Sequence, residues 1–207
     1  MTHVVRDQPD QLTDAERDCL LRLARASIEA AAQGHPPPSV NLDELPERLR
    51  QPAACFVTLH WHGQLRGCTG VLAARAPLAQ EVVETAKRTA LSDPRFAPVE
   101  AWELPDLTIE ISVLSEPQPL DVPRPQDLPR LLHPGVDGVV LQRGPYRATF
   151  LPQVWKRIPD PHEFLGMLCR KMGLHPLAWL EPGMEVSIYH VEEFAEPGFE
   201  DEDEGDD

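Results

Sequence analysis

Hydrophobic positions recur along this chain in two rhythms, one near 3.6 residues and one of two, and the alternation between them predicts the elements. Thr13 followed by Glu16 is a capping-box signature, and Leu20, Leu23, Ala24 and Ile28 follow at helical spacing until Gly34-His-Pro-Pro-Pro stops the run. Cys55 to Leu59 reads as a strand, His62-Gly63-Gln64 as a turn, and Leu65 to Leu72 as the segment it feeds. A second helix is predicted from about Pro77 to Ser92, with proline in its first turn and Leu78, Val82, Val83, Ala86 and Ala90 facing inward. Asp93-Pro94 ends it. The cleanest strand is Leu107 to Val113, where Leu107, Ile109, Ile111 and Val113 alternate with Thr108, Glu110 and Ser112.

Five prolines between Pro117 and Pro129 mark a long connection and a boundary between lobes. Beyond it, Gly138 to Arg143 and Tyr146 to Leu151 read as a hairpin around Gly144-Pro145. A further helix opens on Asp160, with Pro161 at its first position and Glu163 two residues later, and closes at Gly173. Glu185 to Tyr189 is a last strand. Hairpins mixed with helices, without a regular strand-helix-strand series, predict an α+β fold on an antiparallel β-sheet flanked by helices.

Composition narrows the function classes. No apolar stretch of the 207 residues approaches the roughly 18 needed to span a membrane, and Met1 to Asp18 lacks the apolar core of a signal peptide. A soluble, cytoplasmic protein is expected. The net charge of −15 is uneven: Glu192 to Asp207 holds ten acids and no Lys or Arg, which leaves 19 cations against 24 acids, a net of −5, before it. Residues 195–207 are expected to be an acidic, disordered, solvating tail. A dedicated nucleic-acid binder would carry a broadly basic surface, so that class is excluded, although a local basic groove is not. Cys19, Cys55, Cys68 and Cys169 show no metal-type or redox-type spacing and are expected as free thiols.

The segment with most chemical promise is Leu65-Arg66-Gly67-Cys68-Thr69-Gly70. Read as a loop, its glycines let the backbone approach a ligand, and Arg66 with exposed N–H groups would hold an anion and favour a Cys68 thiolate. The same residues also suit a tight turn around a small buried thiol. The spacing matches neither a nucleophile elbow nor a P-loop. His60-Trp61-His62 would set two imidazoles on one strand face, half of a metal site, but no third ligand follows and no metal is expected. Thr108, Glu110 and Ser112 form either a solvated strand face or the floor of a substrate site. Cys169 falls on the stripe of Leu165, Leu168 and Met172 and is expected in the core.

Taken together, Phe56-Val-Thr-Leu, Leu65-Arg-Gly-Cys-Thr-Gly, Asp93-Pro-Arg-Phe-Ala-Pro, Ile109-Glu-Ile-Ser-Val-Leu-Ser and Thr149-Phe-Leu-Pro-Gln-Val-Trp occur in one order, followed by Phe164-Leu and Lys171-Met-Gly-Leu. This string resembles the AMMECR domain family, called AmmeMemoRadiSam system protein A in bacteria, over residues 12–194. The resemblance implies an α+β protein with a larger and a smaller lobe, and partners that are a Memo-like protein and a radical SAM protein. It also implies a nucleotide, RNA or peptide ligand, with RNA modification as a suggested setting. Its site residues map onto Arg66, Gly67, Cys68 and Gly70, then Asp93, Arg95 and Phe96, with Glu110, Thr149, Gln153 and Trp155 as further members. Thr69 stands where the family signature has Ile, adding a hydroxyl beside Cys68.

Two classes of function stay open on the sequence. One is a binding component whose exposed Thr149–Trp155 segment contacts a partner, although Phe150 and Trp155 equally suit an anchor for the smaller lobe. The other is an enzyme with Cys68 as nucleophile, for which His60, His62, His133, His162 and His190 are all conceivable bases. No cofactor is expected in this chain; an iron–sulfur cluster would belong to the radical SAM partner.

Overall fold

The computed structural model describes residues 11–197. In chain order its helices are α1 (Asp14–Ala32), α2 (Glu47–Arg50), α3 (Leu78–Ser92), α4 (Leu128–Leu131), α5 (Val154–Arg157) and α6 (Pro161–Lys171). Its strands are β1 (Ala54–Trp61), β2 (Gln64–Gly70), β3 (Leu107–Leu114), β4 (Gln118–Pro119), β5 (Gly138–Arg143), β6 (Tyr146–Phe150), β7 (Glu185–Tyr189) and β8 (Val191–Ala195). The chain divides into two compact units, the larger made of the residues up to Leu114 together with those from Glu192 on, the smaller of Ser115–Val191. The class is α+β.

In the larger unit the strands lie in the order β2-β1-β3-β8, and β1 runs antiparallel to both β2 and β3. The expected capping box opens α1: Thr13 Oγ1 accepts from the Glu16 N–H (3.3 Å) and the Glu16 carboxylate accepts from the Thr13 N–H (2.8 Å). Leu20, Ala24 and Ile28 of α1 and Val82, Ala86 and Ala90 of α3 then bury against Val57, Leu59, Ile109 and Ile111 of the sheet. Ser27 Oγ donates to the Val83 carbonyl (2.7 Å), so even the polar residue between the two helices is satisfied. Both helices cover one sheet face. Strand alternation sends Phe56, Thr58 and His60 to the other, where they pair with Ser112, Glu110 and Thr108.

Three expectations change here. Leu65 to Gly70 is not a loop but most of β2, a strand at the sheet edge. Turn and strand meet in a tight hairpin in which His62 (φ 51°) and Gly63 (φ 77°) both take left-handed backbone, so His62 leaves the strand face on which it was paired with His60. Finally, Ala195 and Glu196 do not begin a solvated tail. Ala195 closes β8, and Glu196 accepts from Arg25 Nε (3.0 Å) and the Ile109 N–H (3.0 Å) while its own N–H donates to the Ile109 carbonyl (2.9 Å). Four residues earlier, Glu192 takes the Leu12 N–H and Arg17 Nε. Two of the ten terminal acids thus staple β8 to α1. Residues 198–207, the rest of the expected tail, lie outside the described residues.

The smaller unit is a sheet in the order β4-β7-β5-β6, antiparallel throughout its ladders, with its own core of Val139, Leu141, Trp155, Phe164, Leu165, Leu168, Cys169 and Ile188. Asp160 caps α6 by accepting from the Glu163 N–H (2.8 Å), and Gly173 (φ 78°) ends it.

The Arg25–Glu196 pair is three-quarters buried, so Glu196→Ala is expected to lower the unfolding free energy by about 1–3 kcal/mol. In urea denaturation, Arg25→Ala combined with Glu196→Ala should cost less than the two single effects added. Strict additivity would contradict the pairing.

Candidate functional site

The chemistry of this site starts from an edge strand, β2, which is paired with β1 on one side only. Cys68 lies opposite Thr58, and its own N–H and C=O point away from β1, off the free edge of the sheet. Both groups are nonetheless bonded. The Cys68 N–H donates to Asp93 Oδ2 (2.8 Å), and Arg95 Nη2 donates to the Cys68 carbonyl (3.1 Å). Asp93 and Arg95 are themselves joined through Nη2–Oδ2 (2.7 Å) and Nε–Oδ1 (3.0 Å), with the Arg95 N–H also on Oδ1 (3.0 Å). A carboxylate and a guanidinium stand where the next strand would be. Asp93 is only 4% exposed. The Arg95 guanidinium and the Cys68 and Arg95 N–H groups outweigh desolvation and hold its carboxyl well below the usual carboxylate range.

Arg66 is placed by a register shift. Leu59 pairs with Gly67 but His60 pairs with Leu65, so Arg66 is the extra residue of a β-bulge, which re-aims its side chain. Its Nε donates to Glu103 Oε1 (2.7 Å) and its Nη2 to Glu103 Oε2 (3.0 Å), a two-pronged pair. Glu103 also accepts from the Glu100 N–H (2.7 Å), and Arg66 lowers its pKa from the ordinary glutamate value. Both guanidinium carbons lie near the Phe96 ring, Arg66 at 5.9 Å and Arg95 at 5.4 Å from its centroid. Arg66, Asp93, Arg95 and Phe96 are therefore brought together. The expected anion cradle, however, is filled by the chain's own carboxylates.

The two glycines act by close approach rather than by unusual backbone. Neither has positive φ; a Cβ on Gly70 would lie 2.3 Å from the Phe56 ring, and one on Gly67 3.2 Å from the Thr89 methyl. Their bare Cα atoms admit protein neighbours, not a ligand. Thr69 faces the helices, opposite Cys68, and its hydroxyl meets the Thr89 hydroxyl at 2.7 Å. Thr89 also bonds the Thr85 and Val57 carbonyls, so the added hydroxyl is absorbed on the core side.

Cys68 Sγ is half-buried and accepts a hydrogen bond from Thr58 Oγ1 (3.2 Å). Thr58 in turn lies opposite Glu110 on β3, so Cys68, Thr58 and Glu110 form one cross-strand row on the polar face. His60 Nε2 lies 3.8 Å from Glu110 Oε2 on the same face. Ser112, expected on this face as well, is buried. Among the other cysteines, burial pushes the Cys55 thiol up to about 12, and Cys169 is buried in the smaller unit's core as expected. Among the described residues no group of three His, Cys, Asp or Glu is placed to hold a metal ion.

Thr149, Gln153 and Trp155 belong to the smaller unit. Trp155 is 2% exposed, stacks on Phe164 with ring centroids 3.6 Å apart, and donates Nε1–H to the Asp137 carbonyl (2.8 Å). It is an anchor of that core, one of the two roles the sequence left open, and not an exposed contact. Thr149 Oγ1 lies 2.9 Å from the Val139 carbonyl and 3.1 Å from the Tyr189 hydroxyl, while Gln153 is exposed at the start of α5. The residues missed by sequence reading are Glu103, Thr58 and Thr89. The cross-strand register would have revealed Thr58 and packing Thr89; Glu103, 37 residues from Arg66 in a turn, left no periodic signal.

Because Asp93's folded pKa is depressed, its pairing stabilises the fold fully above the unfolded aspartate value near 4. That contribution is lost as pH falls below it toward the folded value. Asp93→Asn is expected to cost about 2 kcal/mol at pH 7, a figure reduced because Arg95 stands 53% in solvent. The gap between the two proteins in denaturant midpoint should narrow as pH drops below about 4. A gap independent of pH would show that the charge on Asp93 is not what holds the strand.

The AMMECR1 family model matches residues 21–194. A protein of Methanothermobacter thermautotrophicus is 40% identical over 195 residues, covering 90% of this chain and 97% of its own. Protein MJ0810 of Methanocaldococcus jannaschii is 34% identical, covering 89% and 92%. Among solved structures, the uncharacterized protein PH0010 from Pyrococcus horikoshii aligns with a TM-score of 0.71 at 34% identity, over 86% of this chain and 90% of that one. With the family model covering most of the chain and relatives matching it almost end to end, this chain belongs to the AMMECR1 family.

Proposed function

We propose that this chain is a binding protein, and that its ligand is a peptide segment of a partner protein taken on the polar sheet face around Cys68, Thr58 and Glu110. The observation that carries this reading is the state of the two motif arginines. Each is held by a carboxylate through two hydrogen bonds, Arg66 by Glu103 and Arg95 by Asp93. A nucleotide or RNA phosphate arriving at either guanidinium would meet the repulsion of a carboxylate already bonded there, or would have to displace it. A peptide needs no such displacement. The face is lined by hydroxyl, thiol, imidazole and carboxylate groups, the kinds of group through which polar chains are recognised. The Memo-like and radical SAM proteins implied by the resemblance are the partners in which such a segment should be sought first.

The enzyme reading is less well supported. A thiol nucleophile needs a base within hydrogen-bond reach, and the group bonded to Cys68 Sγ is the Thr58 hydroxyl, which is no base at neutral pH. Glu110 lies one strand farther on, roughly 10 Å away at the ordinary strand spacing.

Thermal-shift measurements with ATP, a short RNA, and overlapping peptides from the two candidate partners test the proposal. A peptide at 100 times its Kd should add about 2.7 kcal/mol, while ATP and RNA should leave the midpoint unchanged. A saturable response to ATP or RNA alone, or no response to any of the peptides, would overturn the reading.

A further inference from the structure

The most exposed large apolar side chain among the described residues is Trp102, at 63%. It is exposed but not loose. Its Nε1–H donates to Glu100 Oε2 (2.8 Å), and its ring meets Trp61 edge to face with centroids 5.9 Å apart at 84°. The turn that carries it is pinned as well: the Val99 N–H donates to the Ala90 carbonyl (2.8 Å), and Glu100 and Glu103 bond each other through backbone and carboxylate. Glu103 in turn grips Arg66 of the candidate site. Tryptophan is enriched among the residues that anchor binding surfaces, and one held in place beforehand loses little freedom on binding.

The charges around this ring select the ligand. Glu100 bonds the indole edge and is exposed, and Asp106, half in solvent, lies 3.9 Å from His62, whose ring packs 4.5 Å from Trp61. Arg66, the nearby guanidinium, is committed to Glu103. The patch thus joins an exposed π face to exposed carboxylates. A cation satisfies both at once, through the ring quadrupole and through charge pairing, and a guanidinium adds planar stacking on indole.

We propose that Trp102, with Trp61, Glu100 and Asp106, forms a separate subsite for a basic side chain, arginine or lysine, of a partner peptide. This goes beyond the peptide reading, because Trp61 lies on the other side of the sheet from Thr58, and it can be tested apart from it. Ligand-observed NMR titrations would use N-acetyl-arginine methylamide and N-acetyl-lysine methylamide, with the glutamine and glutamate analogues as controls. The arginine and lysine amides should bind saturably, the controls should not, and Trp102→Leu should weaken binding by about fivefold or more. Glu100→Gln should weaken it as well. Because Trp102 is largely exposed, the leucine variant should keep the wild-type unfolding midpoint, which is checked first; Trp102→Phe, which preserves a π face, should bind in between. Equal binding of glutamine and arginine amides, or unchanged affinity in Trp102→Leu, would overturn the subsite. Such a failure alongside peptide-induced thermal shifts would leave the peptide reading standing; absence of those shifts alongside basic-amide binding would remove the peptide and leave a cation site.

Discussion

The bond from the Cys68 N–H to the Asp93 carboxylate is what the rest of the motif depends on. An edge strand exposes unpaired donors and acceptors that invite another chain, and folds blunt such edges deliberately. Here Asp93, placed where α3 ends, accepts the outward N–H, and Arg95 two residues on donates to the outward carbonyl. Once that edge is closed, Gly67 can sit against Thr89 and Gly70 against the Phe56 ring, and the bulge can present Arg66 to Glu103. The smaller unit shows related economy: on its border strand β6, Lys171 Nζ donates to the Thr149 carbonyl (3.0 Å). Motif residues on both sheets thus bond strand backbone.

That dependence changes the meaning of charge in the signature. Arg66 and Arg95 are planar, permanently charged and well suited to phosphate, but each already has a carboxylate of fitting geometry. Their charge rigidifies β2, the strand that presents Cys68 beside Thr58 of β1. Rigidity of that kind suits recognition, where ordering costs would otherwise reduce affinity. Catalysis through Cys68 would need a base that the row does not bring to the sulfur.

Periodicity and capping carried most of the fold in the sequence. Thr13 with Glu16, Asp160 with Glu163, and the alternation from Leu107 onward encode local bonds and one-sided burial, so they are visible without a partner. Leu65 to Gly70 was harder because glycine and cysteine at an edge carry neither a hydrophobic period nor a β-propensity, and their strand character comes from β1 and Asp93. Glu192 and Glu196 were lost among eight other acids; only the distant Arg17 and Arg25 distinguish them from a solvated run. At the site, the local motif singled out Arg66 and Cys68 and the family resemblance added Asp93 and Arg95, but neither could show that the charges pair off internally. Trp155 stood open between contact and anchor in the sequence, and only the Phe164 ring stacked on it makes it an anchor.

Hydrogen exchange at the single Cys68 amide tests this account most directly. If Asp93 closes the edge, that amide exchanges slowly at neutral pH even though no strand lies on the side to which it points, and inorganic phosphate or ATP at millimolar concentration leaves its protection unchanged. Fast exchange that becomes slow only when an anion is added would contradict the account, because it would mean that the site is an open cradle waiting for a ligand's charge.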